Sequence, residues 1–194
     1  NNIVIGYNAQ PSSGDVSNQI TLGDGQIGAL RCNVQTITSL SDARDKKNIK
    51  ELSLGLEFLM KIKPRQFNWD KREWYENNKS DGSKMSDVPS AGFISQELDA
   101  AQTNENADWL NLVMKENPDK LEATYGNLLP VMVKAIQELK IENEELRIKN
   151  ENLTLEIESL MQMNDKIMKM EKMLDEMNSI KNTSLIKEEV NLTN

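Results

Sequence analysis

The chain contains no histidine and a single cysteine, Cys32. Without histidine, hydroxyl chemistry in this chain needs a lysine as its base. One thiol cannot close an internal disulfide and has no partner for a cysteine metal site, so Cys32 reads as a small buried apolar residue. Aromatics are scarce at 5%, and apolar residues reach 38% against 28% charged. That balance is lean for a compact globule and suits a chain with much of its length in an elongated oligomer. Basic residues are outnumbered, 23 against 31 acidic, for a formal net charge of −8. Nucleic acid and anionic membrane both call for a basic face, so neither is expected as the main partner. No run of about 18 apolar residues occurs, so no segment reads as crossing a bilayer. Asn1-Asn2 stands where an initiator methionine would. The sequence therefore reads as part of a longer polypeptide, with any targeting signal upstream.

What is present falls into regions of different composition. Residues 1–40 are rich in Gly and Asn and read as short strands separated by turns. Asn2–Gly6 and Ile20–Gly23 are β-rich runs, the second closed by Asp24-Gly25, and Ile27–Ile37 alternates weakly. Three short strands cannot bury a sufficient core alone. They fit either an intertwined fibre whose chains share one core or a hairpin packed on its own globule.

Residues 41–130 read as a small mixed module. Ser53 is a candidate cap for a helix over Leu54–Ile62, which Pro64 stops. Gln66–Trp69 and Gly92–Ser95 read as strands, Asn77–Pro89 as a surface loop, and Asp108–Lys115 as a short helix. Pro130 suits the first turn of a further helix, with Asn127 as its cap. From there Met132, Leu139, Leu146, Leu153, Leu160, Ile167 and Leu174 recur every seventh residue. Ile136, Asn143, Asn150, Ile157, Asn164 and Glu171 form the alternate seam. Such a heptad over 131–178 predicts a coiled coil roughly 65 Å long, its asparagines fixing register at some cost in packing. The heptads do not decide between two strands and three. Ile141, Ile148 and Leu155 form an outer line, either covered by something or simply exposed. The methionines of Met161–Met177 read as adaptable packing. Residues 179–194 carry little pattern and read as a flexible tail. The expected class is α+β: an N-terminal β-fibre segment, a small mixed α/β module and a long C-terminal helix forming a parallel coiled coil.

Between the first two regions lies Ser41-Asp42-Ala43-Arg44-Asp45-Lys46-Lys47-Asn48-Ile49. This run resembles the opening signature of the intramolecular chaperone domain of phage endosialidases. Three further blocks follow in order: Lys63-Pro64-Arg65-Gln66-Phe67-Asn68-Trp69, then Gly92-Phe93-Ile94-Ser95-Gln96-Glu97-Leu98, then Tyr125 through Leu139. The same domain closes other phage tail fibres and neck appendages, and a relative occurs in myelin regulatory factors.

The resemblance covers about residues 40–140. It implies a homotrimer that drives folding of the preceding β-fibre of the same polypeptide and then releases itself by autoproteolysis. Carried onto this chain, Ser41 is the nucleophile, Lys46 its base, and Leu40–Ser41 the scissile bond of a single-turnover serine peptidase with a Ser-Lys dyad. Residues 1–40 would stay with the virion tail fibre or appendage, and residues 41–194 would be released in the host cytoplasm. Asp42 and Arg44 either orient the site or pair with each other. Lys46 must be neutral to accept a proton, so burial at a subunit junction, or positive charge from Arg44 and Lys47, is expected there. No cofactor and no metal is expected. Gly23–Gly28 lacks the lysine of a phosphate loop, so nucleotide control is not assigned. A non-cleaving trimerisation tip is the alternative.

Overall fold

The computed structural model describes residues 1–34 and 36–192, with side chains described through residue 181. It divides into two compact units, Asn1–Glu138 and Leu139–Asn194. The class is mixed: small strands and short helices, followed by one long C-terminal helix.

At the start of the first unit, β1 (Ile3–Ile5) and β2 (Ile20–Leu22) pair in parallel, with Ile3 opposite Ile20 and Ile5 opposite Leu22. The turn leaving each strand has a backbone that side chains resist, with φ +126° at Gly6 and +74° at Gly23. The third strand expected within Ile27–Ile37 does not form among the described residues. Its apolar side chains Ile27, Leu30, Val34 and Ile37 are exposed, so neither parity has a surface to bury against, and Cys32, expected to be buried, is exposed for the same reason. Gln35, part of that run, lies outside the described residues.

The core is built downstream. Helix α1 (Leu56–Leu59) supplies Phe58, and the turn after it supplies Ile62. It is shorter than the expected Leu54–Ile62, and Ser53 does not cap it. The α1 N-terminus at Gly55 instead receives Glu138, whose Oε2 accepts the Leu56 N–H at 2.7 Å. Strands β3 (Arg65–Asn68) and β4 (Pro89–Gly92) pair antiparallel, Arg65 opposite Gly92. The expected Gly92–Ser95 strand ends early because Ser95 already opens helix α2 (Ser95–Asn104). Leu98 and Ala101 of α2 enter the core beside Phe58.

Asp108–Lys115 is not a helix. A 3-10 turn over Asp108–Leu110 ends at Asn111, whose left-handed backbone (φ 48°) reverses the chain into β5 (Val113–Met114), paired with β6 (Glu122–Ala123). Leu112, with no exposed surface, sits at the centre. Next to it the buried Gln102 accepts the Leu112 N–H on Oε1 and donates from Nε2 to Asp99, each at 3.0 Å. Both polar ends are therefore satisfied in a place where an orphan would be costly.

Helix α3 runs Leu129–Leu192, with Pro130 in its first turn as the sequence predicts. Asn127 does not cap it, and donates instead to the carbonyls of Leu110 and Asn111 at 2.8 and 3.1 Å. Within the first unit α3 presents two stripes. Val131 and Ala135 are buried against the module, while the heptad positions Met132 and Ile136 stay exposed.

Among the described residues of the second unit α3 is the only element, held along its surface by pairs such as Arg147 with Glu144 and Glu151. Leu139, Leu146, Leu153, Leu160, Ile167 and Leu174 are all exposed, as are Ile141, Ile148 and Leu155. The helical backbone continues through residues expected to be a flexible tail from 179, reaching Leu192. Residues 193–194 lie outside the described residues.

Candidate functional site

Ser41 and Lys46 are five residues apart, too far to touch in an extended chain. The local sequence closes that gap. Asp42 has an extended backbone and its Oδ1 accepts the Arg44 N–H at 2.8 Å, capping a one-turn 3-10 helix over Ala43–Asp45. The turn is held by Asp45 N–H to the Asp42 carbonyl and Lys46 N–H to the Ala43 carbonyl, both at 3.2 Å. Lys46 is thereby carried back toward Ser41, and its Nζ donates to Ser41 Oγ at 2.5 Å. Asn48, with φ 53°, then turns the chain away.

Asp42 and Arg44 pair with each other. Arg44 Nε lies 3.0 and 3.1 Å from the two carboxylate oxygens, and Nη2 is 2.6 Å from Oδ2. The same carboxylate caps the turn, so the ion pair and the turn that brings Lys46 to Ser41 are one construction. The Arg44 guanidinium, followed by its backbone N–H, holds the Asp42 carboxyl below its ordinary value. Arg44 is in turn raised by Asp42. Arg44 therefore directs its charge at Asp42 and not at Lys46, contrary to the expected role as a charge source for the lysine.

The run 41–50 is exposed throughout, and Leu40 is 100% exposed. Nothing in the single chain shields the Lys46 amine from water. Beginning at Lys46, a groove of about 700 Å³ follows Lys46–Ser53 and is closed by Trp109. Trp109 was not legible as part of this neighbourhood, because it sits in a segment that reads as an ordinary short helix. Among the described residues no cluster of His, Cys, Asp and Glu could hold a metal ion.

The other blocks of the resemblance converge on one another. Arg65 of the second pairs with Glu97 of the third through Nε and Nη2, at 2.9 and 2.5 Å. Tyr125 of the fourth packs edge-on against Phe93 at 5.1 Å, and its hydroxyl accepts the Phe93 N–H. The first block, with Ser41, is not drawn into this cluster.

Residues 41–106 match the family described as chaperone of endosialidase. The match starts at Ser41 itself, takes in the first three blocks and ends before the fourth, about a third of the chain. The match supports a likeness of this segment to the C-terminal chaperone domain of that family, whose designation is peptidase-related. No curated protein and no solved structure matches the chain. Among the described residues no helix is long and apolar enough to cross a membrane.

Proposed function

We propose that residues 41–194 are an intramolecular chaperone that assembles as a homotrimer, drives folding of the β-structure preceding it, and releases itself by cutting Leu40–Ser41. The observation that carries the reading is the Lys46 Nζ contact with Ser41 Oγ, at the residue where the family match begins. Residues 41–130 are the chaperone and cleavage module, 131–178 the coiled-coil segment, and 1–40 the fibre side.

Assembly comes first. A shared β-core requires ordering several chains before any contact rewards them, so its nucleation is slow and prone to aggregation. A module whose contacts are mostly local folds early, and the bare heptad seam of α3 gives it a surface on which copies align. Three parallel helices then hold the ends of the fibre chains in register.

Cleavage follows. In the lone chain the exposed Lys46 amine donates to Ser41, which is the reverse of what a base does. Covering the site in the trimer removes water and leaves the amine free to accept. Ser41 Oγ then bonds to the Leu40 carbonyl carbon while its proton passes to Lys46. The Leu40–Ser41 C–N bond breaks as the Ser41 nitrogen takes up a proton, leaving Leu40 as an ester on Ser41 Oγ. Water hydrolyses that ester, giving a Leu40 carboxylate and a free Ser41 hydroxyl. Loss of the chaperone removes the easy route of unfolding from that end, and the fibre is trapped kinetically. No cofactor takes part in these steps.

Full exposure of the dyad in the lone chain favours one alternative, a trimerisation tip that stays attached. Intact-mass measurement of the assembled wild type beside Ser41→Ala and Lys46→Ala separates the two. The proposal expects a fragment beginning at Ser41 in wild type alone. Uncut wild type in a properly assembled trimer overturns it.

A further inference from the structure

The pairing of β1 with β2 is a sequence repeat as well as a ladder. Asn1-Asn2-Ile3-Val4-Ile5-Gly6 and Asn18-Gln19-Ile20-Thr21-Leu22-Gly23 align at a separation of 17 residues. Asn1 Nδ2 donates to Asn18 Oδ1 at 2.7 Å, so equivalent positions stack like on like. Both strands end in a glycine at positive φ. The same step taken once more from Ile20-Thr21-Leu22 lands on Ile37-Thr38-Ser39. Its connector, residues 23–36, equals in length the connector 6–19 of the first pair.

The ladder leaves a place for it. The Ile3 N–H donates to the Gln19 carbonyl at 2.9 Å and the Gly23 N–H to the Ile5 carbonyl at 2.7 Å. In a parallel ladder alternate residues turn both backbone groups to the same neighbour. Gln19, Thr21 and Gly23 therefore face β1, and Ile20 and Leu22 direct theirs to the opposite edge, which among the described residues pairs with no strand. Residues 18–25 line a cavity of about 740 Å³ together with residues 8 and 10–12 of the first connector and Glu73, Met114, Lys120 and Glu122 of the module. Meanwhile Ile37 is 97% exposed where it stands.

We infer that the free edge of β2 is a strand-acceptor site for Ile37–Ser39 of the same chain, which docks there as a third parallel strand, Ile37 opposite Ile20. An open edge is a ready template for an added strand. Continuing the ladder by the same step pairs the Ile20 N–H with the Thr36 carbonyl and the Leu40 N–H with the Leu22 carbonyl. The residue at the glycine position is now Leu40, for which a positive φ is strained. The stack ends at that residue, one peptide bond before Ser41. On the reading of Leu40–Ser41 as the scissile bond, docking also fixes the amide on the fibre side of the cut. Completion of the last strand would then be what positions the bond for attack.

The test uses the full chain carrying Cys32→Ser and Ser41→Ala, so its outcome is independent of whether cleavage occurs. Neighbouring strands lie about 4.8 Å apart, inside the span of a disulfide, whereas strands two apart do not. With Ile20→Cys and Ile37→Cys, mild oxidation gives a disulfide within one chain, seen as a loss of two hydrogens in the intact mass. The control pair Ile3→Cys with Ile37→Cys gives none. An absent disulfide, one formed equally by the control pair, or bridging only between chains overturns the proposal. Hydrogen exchange on the chain without the added cysteines is the second readout. Slow exchange at Ile20 and Leu22 supports the site, and exchange as fast as at the exposed Gly14 overturns it.

Discussion

The two units treat apolar residues in opposite ways. In the first, Leu112, Val131 and Leu98 are sealed in a core that draws on α1, α2, β5 and the start of α3. In the second, a single helix exposes every leucine of a regular heptad seam. The contrast is sharpest where α3 starts. Val131 and Ala135 are closed against the module, but Met132 and Ile136, one residue on from each, are bare. One helix thus carries a stripe for its own chain and a stripe that its own chain does not use. The first is complete alone; the second is the seam on which the proposed trimer would close.

The largest way to break that contrast is on the seam. A leucine buried in a seam between copies is worth roughly 1.5–3 kcal/mol, so Leu146→Asp with Leu153→Asp should cost the proposed trimer several kcal/mol per chain and disperse it. Light scattering reads this, and the module's near-UV spectrum should not change. Next comes the core of the first unit. Phe58→Ala should cost about 3–5 kcal/mol in denaturant unfolding of the module while leaving seam contacts alone. Gln102→Ala should follow at about 1–3 kcal/mol, because the Leu112 N–H loses its acceptor inside the core. Removing the distant cap with Glu138→Ala is smaller, about 1 kcal/mol.

The smallest effect is one of pH. Hydrogen bonding from Arg65 holds the Glu97 carboxyl below its ordinary value. A carboxyl depressed in the folded state contributes stability above its unfolded value, and that stability is lost as pH falls through the folded one. Acid titration of the wild type should therefore weaken the module more than it weakens Glu97→Gln.

A second contrast separates the core from the candidate site. Arg65, Glu97, Phe93 and Tyr125 meet because strands and helices bring distant segments together. Ser41 and Lys46 meet through one capped turn of adjacent residues. A stretch so short lies within one block of the resemblance, which is what singles out its serine and lysine, and Asp42 in front of that turn is the residue that brings them together. Asp42→Ala should loosen the contact, slowing the proposed cleavage while leaving module stability unchanged, as a gel time course beside a melting curve would register.

What the sequence determined by itself follows from periodicity and from short-range chemistry: the heptad over α3, Pro130 at its start, and the strand character of β1, β2 and β3; Ser41 and Lys46 are singled out by the resemblance of the run that holds them. These depend on residues within a turn or two of each other. The structure alone decided what depends on distant closure. Val113 became a strand because Ala123 lies opposite, although its surroundings read as helix. Ser53 yielded the cap of α1 to Glu138, because α3 packs its first turns where that carboxylate reaches the Leu56 amide. A carboxylate 82 residues away leaves no periodic mark. Only folding, by satisfying an otherwise unpaired helix amide, selects it.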